Sequence, residues 1–323
     1  MKFRTEVPVP KSTIQMSYED NSLFIGSCFS VNIHSKLHAL KFNTDSNPFG
    51  IVYNPISLAR QLNRIIQNQK YVASDLQFQN ERWFSFDHHS DFSFTDKSAC
   101  LEAINTNLNN AHSQLKNAKF LFITLGTSWV YELEETKQTV SNCHKLPAKN
   151  FNKYLAKTED MVSQLSFAIT EIKKVNSDIQ IVFSISPVRH LADGFFENQV
   201  SKGRLFDVIH QLKTQDDSIQ YFSAYEMVLD DLRDYRFYNS DLVHPSYEAI
   251  SYIWEKFVET FISKESVSVL TKVEKVIQAA KHRPFNPKSE AHQKFIAKTL
   301  AQIKSLEGLV FDGFDKEVNE LIY

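Results

Sequence analysis

The chain has 323 residues, of which 42% are hydrophobic, so it can fill the core of one large domain. Its 36 basic and 38 acidic residues leave a formal net charge of -2, which argues against a basic stripe for nucleic acid or a polybasic membrane surface. No apolar run has transmembrane length, and the N-terminal residues lack a signal-peptide core. We therefore expect a cytoplasmic protein without nucleic-acid or membrane partners.

The cysteines predict neither a disulfide framework nor a zinc site. Cys28, Cys100 and Cys143 are odd in number and far apart in the chain. Zinc sites usually contain close Cys pairs followed by His or Cys pairs, and the sequence has none of that kind. Glycine-rich phosphate motifs are also missing. We expect no metal and no cofactor.

Apolar strands alternate with helical patterns along most of the chain. The predicted strands are 22–26, 119–125, 179–185 and 218–222, with a less regular one at 40–43. The predicted helices are 57–69, 98–117, 151–175, 199–213 and 246–263. This alternation is typical of an α/β protein, with a parallel sheet covered by helices on both faces.

Two further regions differ from this alternation. Short aromatic-rich pieces at about 75–96 predict an inserted hairpin. Helical patterns at 264–281 and 288–305 are separated by a proline-containing break. We therefore expect a main domain over 1–263 and a helical C-terminal extension over 264–323 that packs on it.

Cys28 follows the first predicted strand and begins a helical stretch. Unpaired N–H groups and the dipole at a helix N-terminus favour a thiolate there, and the same groups can receive an oxyanion. Cys28 is thus a candidate nucleophile. The alternative is a small buried residue that fills space behind the strand.

Asp241 and His244 stand three residues apart just before a predicted helix. A turn can place the carboxylate against one imidazole nitrogen and leave the other free to act as a general base. Pro245 holds His244 out of helical geometry and opens the helix that follows. The alternative is that both side chains only cap the helix and secure the loop.

Several motifs in one order resemble the GSCFA-domain family, which is similar to the SGNH or GDSL-like hydrolases. These motifs are Gly26-Ser27-Cys28-Phe29-Ser30, Asn47-Pro48-Phe49-Gly50-Ile51-Val52-Tyr53-Asn54-Pro55, Asn142-Cys143-His144-Lys145, Ser186-Pro187-Val188-Arg189-His190 and Asp241-Leu242-Val243-His244-Pro245-Ser246. The resemblance implies a flavodoxin-like, three-layer α/β/α fold.

The resemblance also implies roles for particular residues. It makes Cys28 the nucleophile, with Ser27 as the alternative, and makes His244 and Asp241 the rest of a triad. The oxyanion hole would use the N–H groups of Cys28 and Gly50. No Asn follows the third strand, so the remaining donor would be Asn47, Thr127 or Ser128.

Polar clusters after the third and fourth strands are candidates for substrate binding, because ligands bind outside the carboxyl ends of parallel strands. They comprise Asn142, His144, Arg189 and His190. Arg189 can hold an anionic group of the substrate bidentately, although a structural ion pair is the alternative.

The expected function is hydrolysis of a small-molecule or glycan ester through an acyl-enzyme intermediate. A thioester can also be intercepted by amines or alcohols, so acyl transfer at the same site is an alternative. A second alternative is a non-catalytic module that binds a carbohydrate or acyl ligand. A third is a structural or interaction protein built on the C-terminal helices. The sequence does not decide the oligomeric state.

Overall fold

The structure, a computed structural model, describes residues 4–322. The strands are β1 (Asn21–Gly26), β2 (Thr44–Ser46), β3 (Gln77–Gln79), β4 (Arg82–Phe84), β5 (Ala118–Leu125), β6 (Trp129–Leu133), β7 (Thr139–Val140), β8 (Phe151–Leu155), β9 (Gln180–Ile185) and β10 (Gln220–Tyr221). The helices are α1 (Cys28–Ala39), α2 (Pro55–Gln67), α3 (Lys97–Asn117), α4 (Thr158–Val175), α5 (Phe195–Gln215), α6 (Ala224–Glu226), α7 (Tyr247–Phe261), α8 (Lys264–Ala280), α9 (Glu290–Leu306) and α10 (Asp315–Ile322).

Five strands form a parallel central sheet in the order β10-β9-β5-β1-β2. Numbered in chain order from the β2 edge, this is the 2-1-3-4-5 arrangement of flavodoxin-like folds. The predicted fold class is therefore confirmed. The strand order reverses between β1 and β5. The segments that follow these two strands therefore lie next to each other at the carboxyl end of the sheet.

Successive side chains of each strand lie on opposite faces of the sheet and are buried in two separate hydrophobic cores. Ile25, Ile123 and Phe183 are in register across β1, β5 and β9, and they pack under α2, α3, α4 and α5. The next row on the opposite face, Phe24 and Phe122, stacks with ring centroids 4.5 Å apart beneath α1 and α7. This period of two explains why the strands read as continuous apolar runs, since both faces are buried.

Gly26 ends β1 in a conformation that requires glycine. Its φ is +137°, and an added Cβ would stand 2.1 Å from the carbonyl oxygen of Thr124 on β5. The close approach lets the Ser27 N–H donate to the same oxygen at 3.0 Å. The chain then turns directly into α1.

Smaller antiparallel sheets lie beside the central one. β3 and β4 form the hairpin that was predicted within 75–96. β6 pairs with both β7 and β8 in a three-stranded sheet that the sequence pattern did not predict. The helix predicted over 151–175 is wrong in its first part, because Phe151–Leu155 is β8 and the helix begins at Thr158.

The strand predicted at 40–43 is also displaced, since the strand there is Thr44–Ser46. The Leu40 N–H still donates to helix carbonyls of α1, and Lys41 has a positive φ of 67°. Leu40 and Phe42 are apolar because they are buried in the core under this turn and not because they form a strand.

The C-terminal helices pack against the α1 and α7 face of the molecule. Leu270, Val273 and Ile303 join the core cluster that contains Phe24 and Phe257. The Lys41 Nζ atom lies 3.2 Å from a carboxylate oxygen of Glu317 on α10. Division of the chain at residue 264 stays a prediction. Among residues 4–322, no helix has the length and apolar character needed to cross a bilayer.

Candidate active site

Cys28 is the first residue of α1, at the end of the central sheet where the strand order reverses. Ser27 is the N-cap of this helix, and its hydroxyl accepts a hydrogen bond from the Phe29 N–H at 3.4 Å. Ser27 is 1% exposed, whereas Cys28 is half-buried. The Ser27 hydroxyl therefore serves the helix, and the Cys28 thiol is the more accessible of the two candidate nucleophiles.

Opposing influences act on the ionisation of Cys28. Burial raises the pKa of its thiol, while its own N–H, the Lys202 ammonium and the Phe29 N–H lower it. Partial burial therefore outweighs the helix N-terminus that the sequence suggested as a thiolate site. A base or a further cation is needed to generate the thiolate at neutral pH.

A cavity of about 520 Å³ opens beside Cys28. Its lining residues come from the segments after β1, β2, β5 and β9, from β6, from β7 and the segment after it, and from the loop that carries His244. They are Ser27, Cys28, Tyr53, Asn54, Thr127, Trp129, Tyr131, Val140, Ser141, Cys143, Ser186, Val188, Arg189, His190, Leu191, Ala192, Asp193, Val243 and His244. The fold thus brings Cys28 and His244 to one cavity.

His244 is paired with Asp241 in the arrangement that the sequence predicted. The imidazole Nδ1 lies 2.7 Å from Asp241 Oδ2, which leaves Nε2 free of this contact. Asp241 Oδ1 accepts the backbone N–H groups of Val243 at 2.9 Å and His244 at 3.0 Å. These two N–H groups, followed by the imidazole, lower the pKa of Asp241 to about 2. The carboxylate is therefore charged at any working pH and can hold the Nδ1–H tautomer.

The turn between them contains Leu242 in a left-handed conformation, with φ of 58°. This is a costly position for a branched residue, and backbone strain of this kind gathers at functional sites. The turn places both N–H groups of the following residues on the Asp241 carboxylate.

Lys202 lies beneath the site and was not identified from the sequence. It is 2% exposed, and its Nζ donates to the carbonyl oxygens of Gly126 at 2.6 Å and Ser186 at 2.7 Å. Burial lowers the pKa of this amine to about 7, an effect that the negative charge of a Cys28 thiolate opposes. The sequence did contain a signal that Lys202 is buried, because Lys202 is three residues before Leu205 on the apolar face of α5.

Arg189 and His190, two of the predicted binding residues, line the cavity. His190 packs edge-on against Tyr53 with ring centroids 5.5 Å apart. Burial, with the nearby Lys202 charge as the next cause, lowers the pKa of His190 to about 4. This second imidazole is therefore neutral at neutral pH.

Asn142 and His144 do not line the cavity. The Asn142 side chain accepts the His144 N–H at 2.8 Å, and the His144 ring stacks on Phe84 of the hairpin at 4.0 Å. His144 Nε2 also lies 3.0 Å from the Ser85 carbonyl oxygen. Both residues thus secure their loop to the hairpin, and their neighbour Cys143 is the one that reaches the cavity.

The two predicted oxyanion donors near β2 are occupied by hydrogen bonds within the fold. The Gly50 N–H donates to the Asn47 carbonyl at 2.7 Å. Asn47 accepts the Gly26 N–H through its side-chain oxygen at 2.8 Å, and its amide nitrogen lies 3.4 Å from the Ser30 hydroxyl. Neither residue lines the cavity, and both support the turn after β1.

The two hydroxyls predicted in place of the missing Asn are held by Ser201 of α5. The Thr127 and Ser201 hydroxyl oxygens lie 2.9 Å apart. Ser128 donates from its N–H to the Ser201 hydroxyl at 2.8 Å and from its own hydroxyl to the Ser201 carbonyl at 3.0 Å. Thr127 still borders the cavity, but Ser128 is fully buried behind it.

Tyr53 reaches the cavity from the same motif as Asn47 and Gly50. Its hydroxyl makes no hydrogen bond with any residue from 4 to 322, and its ring lines the cavity. Burial raises the pKa of this phenol, and the charge of Cys28 acts in the same direction. Tyr53 is therefore a neutral O–H donor close to the sulfur.

Comparison with known protein families agrees with the motifs. A family model described as the GSCFA family matches residues 21–257, which is well over half of the chain. The chain belongs to the GSCFA family. A second model, the C-terminal domain of GSCFA domain proteins, matches residues 273–321 of this GSCFA protein. A comparison with curated proteins finds no match.

Solved structures that resemble this GSCFA protein include two esterases. One is an acetyl xylan esterase from the rumen bacterium Butyrivibrio proteoclasticus, with 12% identity and a TM-score of 0.37 over 79% of this chain and 64% of that one. Another is a carbohydrate esterase of family 3 from Talaromyces cellulolyticus, with 6% identity and a TM-score of 0.35 over 79% of this chain and 99% of that one. The GSCFA chain therefore spans less than two thirds of the first esterase.

Proposed function

We propose that this protein hydrolyses acyl esters through Cys28, with His244 as general base and acid and Asp241 as the residue that orients it. One observation carries the proposal. The 2.7 Å contact between Asp241 and His244 stands at the same cavity onto which the Cys28 thiol opens. A nucleophile, a base and an orienting carboxylate are the parts that covalent acyl chemistry needs.

The reaction would proceed in two halves. His244 Nε2 takes the thiol proton as Cys28 sulfur bonds to the acyl carbon, and the imidazolium then protonates the departing alcohol, which leaves a thioester. Water attacks the thioester carbon while His244 accepts its proton. The carbon–sulfur bond breaks, the acid departs, and the proton returns to the sulfur. Asp241 stays ionised throughout because its pKa is lowered to about 2.

The oxyanion would be bound by the Cys28 N–H and the Tyr53 hydroxyl. The Cys28 N–H is at the first position of α1, where backbone donors have no partner within the helix. Tyr53 supplies the donor that the sequence sought at Asn47, Thr127 or Ser128. One such donor contributes about 10²–10³ in turnover in enzymes where it has been removed.

Lys202 has the role of a positioning residue in this proposal. Its ammonium joins the carbonyls after β5 and β9, which form the floor next to Cys28, and it favours the thiolate electrostatically. Since Lys202 does not line the cavity, it acts on the reaction through Cys28 and does not contact the substrate.

The same thioester is open to attack by an alcohol or amine, and acyl transfer is therefore the second reaction of this site. A ligand-binding module without catalysis is the alternative from another class. The hydrogen bonds that occupy Gly50, Asn47 and Ser128 favour it, because they remove donors that hydrolases of this type use.

The test is hydrolysis of 4-nitrophenyl acetate, together with mass-spectrometric capture of the acyl-enzyme. We expect Cys28→Ala and His244→Ala to abolish both turnover and the adduct, and Ser27→Ala to keep both. Cys143→Ala is the matched control, because Cys143 is another half-buried cysteine of the cavity. Turnover that persists in both Cys28→Ala and His244→Ala, or no adduct in the wild type, would overturn the proposal.

A further inference from the structure

Arg189 presents a positive charge to the cavity without a counter-ion. It is half-buried and lines the cavity, and its guanidinium makes no hydrogen bond or ion pair with any residue from 4 to 322. Guanidinium groups in partly buried positions normally pair with carboxylates, because they lose hydration without such a partner. The alternative of a structural ion pair for Arg189 therefore has no partner among these residues.

The carboxylates near the cavity are already paired with other groups. Asp193 forms an ion pair with Lys153, and Asp241 Oδ2 holds the His244 imidazole at 2.7 Å. Neither is therefore a counter-ion for Arg189. The cavity keeps the Arg189 charge uncompensated.

The groups on which Arg189 acts electrostatically are phenols and a cation. Burial raises the pKa of Tyr225 and of Tyr238, and the Arg189 charge opposes this in both. Both phenols therefore stay neutral. Lys202, the other nearby cation, is bonded to two carbonyl oxygens and not to a carboxylate. Arg189 thus lines the cavity without a paired carboxylate among residues 4–322, while Lys202 lies beneath the cavity and outside its lining.

We propose that the substrate is an acyl ester that carries an anionic group, which Arg189 binds while Cys28 attacks the acyl carbon. The reaction in this inference rests on the proposed function. The substrate class rests on Arg189. Both residues line one cavity of about 520 Å³, a volume suited to a small molecule. The anion and the scissile ester therefore belong to the same small substrate, and a neutral acetyl ester fills only part of the site.

The kinetic test compares two esters of similar size. One is 4-nitrophenyl hemisuccinate, which carries a carboxylate, and the other is neutral 4-nitrophenyl butyrate. We expect the wild type to prefer the hemisuccinate, and Arg189→Gln to lower kcat/KM for it by roughly 10- to 100-fold, mainly through KM, the range for one lost charge-assisted contact. Hydrolysis of the butyrate should change by less than about threefold, and Arg189→Lys should restore part of the preference.

Arg236→Gln is the matched control, because Arg236 is an exposed arginine of the loop before Asp241 and does not line the cavity. It should leave both esters unaffected. Equal rates for the two esters in the wild type, or an equal loss on both in Arg189→Gln, would overturn the inference.

A binding measurement separates this inference from the proposed reaction. Calorimetry with succinate and with inorganic phosphate is run on the wild type, Cys28→Ala and Arg189→Gln. Succinate or phosphate that binds to the first two and not to Arg189→Gln supports the anion site even if no ester is hydrolysed, and the stronger of the two identifies the anion. Ester hydrolysis without any Arg189-dependent binding of either anion would overturn the anion site and leave the proposed function standing.

Discussion

Asp241 Oδ2 lies 2.7 Å from His244 Nδ1, while the other oxygen of the same carboxylate accepts the backbone N–H groups of Val243 and His244. One side chain therefore shapes the turn and orients the imidazole that the turn carries. These two tasks can be separated, because an amide oxygen can still accept the backbone bonds but an amide N–H cannot accept the Nδ1 proton.

Asp241→Asn is accordingly expected to keep the turn and lose most of the activity. The amide would donate to Nδ1 and select the tautomer whose Nε2 cannot take the thiol proton, so kcat should fall by about 10²–10⁴-fold. Asp234→Asn is the control, since Asp234 also accepts a backbone N–H two residues on, that of Arg236 at 2.9 Å. Equal kcat values for the two variants would contradict this role of Asp241.

Tyr53→Phe tests the second oxyanion donor. Its hydroxyl has no hydrogen-bond partner among residues 4–322, so we expect the thermal stability to stay the same. We expect kcat for ester hydrolysis to fall by about 10²–10³-fold with little change in KM. Tyr131→Phe removes a hydroxyl from another tyrosine of the cavity and should be nearly neutral. A full rate in Tyr53→Phe would remove this donor from the mechanism.

Lys202→Met should shift the ionisation of Cys28. The Lys202 ammonium lowers the pKa of this thiol, so its loss should slow the alkylation of Cys28 by iodoacetamide near pH 6, where the amine is still protonated. Mass spectrometry of the Cys28 peptide measures the rate without any need for activity.

Arg204→Met is the matched control for Lys202→Met. Arg204 is also on α5 and donates to two carbonyl oxygens, those of Leu155 at 3.1 Å and Ala156 at 2.6 Å. It lies outside the cavity lining, and its loss should not change the alkylation rate of Cys28. An unchanged alkylation rate of Cys28 in Lys202→Met would show that the lysine is purely structural.

The same lysine makes the stability of the fold depend on pH. Burial lowers the pKa of Lys202 from 10.5 to about 7, so between these values the unfolded chain binds a proton that the folded chain lacks. Stability from this group therefore rises with pH across that window and is lowest below it. Relative to Lys202→Met, the wild type should gain on the order of 2–4 kcal/mol in unfolding free energy from pH 7 to pH 10. Urea denaturation at both pH values measures this, and a constant difference would refute it.

Gly26→Ala should destabilise the turn that presents Cys28. The added Cβ would meet the Thr124 carbonyl oxygen at 2.1 Å with φ at +137°, which should cost at least about 3 kcal/mol. Gly203→Ala is the counterpart, because a Cβ on this residue of α5 has no atom within 4 Å, and it should raise stability by about 1 kcal/mol. The denaturation midpoints of the two variants test this prediction. Similar effects of the two substitutions would contradict this account of the turn.

Much of the architecture could be predicted from local patterns. The apolar runs of β1 and β5 are buried on both faces, so their composition alone indicated strands of a parallel sheet. β8 was missed because Phe151, Tyr154 and Leu155 also fit the spacing of a helix face. Its strand partner is β6, and no pattern within either segment shows that pairing.

The Asp241–His244 pair was predictable because it depends on three residues of chain and a turn, and the place of Cys28 depended only on a strand that runs into a helix. Which donors are free could not be predicted. Ser128 is tied to Ser201, and Lys202 is bonded to Gly126, across long stretches of chain. A lysine between a serine and a glycine has the composition of a surface position until the helix that carries it is packed.

The sequence by itself determined most strands of the parallel sheet, the turn glycine Gly26 and the local geometry of Cys28 and of the Asp241–His244 pair, because each arises from neighbouring residues and backbone stereochemistry. Only the tertiary structure decided that Tyr53 and Arg189 line one cavity with Cys28 and that Lys202 lies beneath it, while Gly50 and Ser128 do not line it. Burial and hydrogen-bond partners are properties of packed segments, and the segments that meet here come from distant parts of the chain.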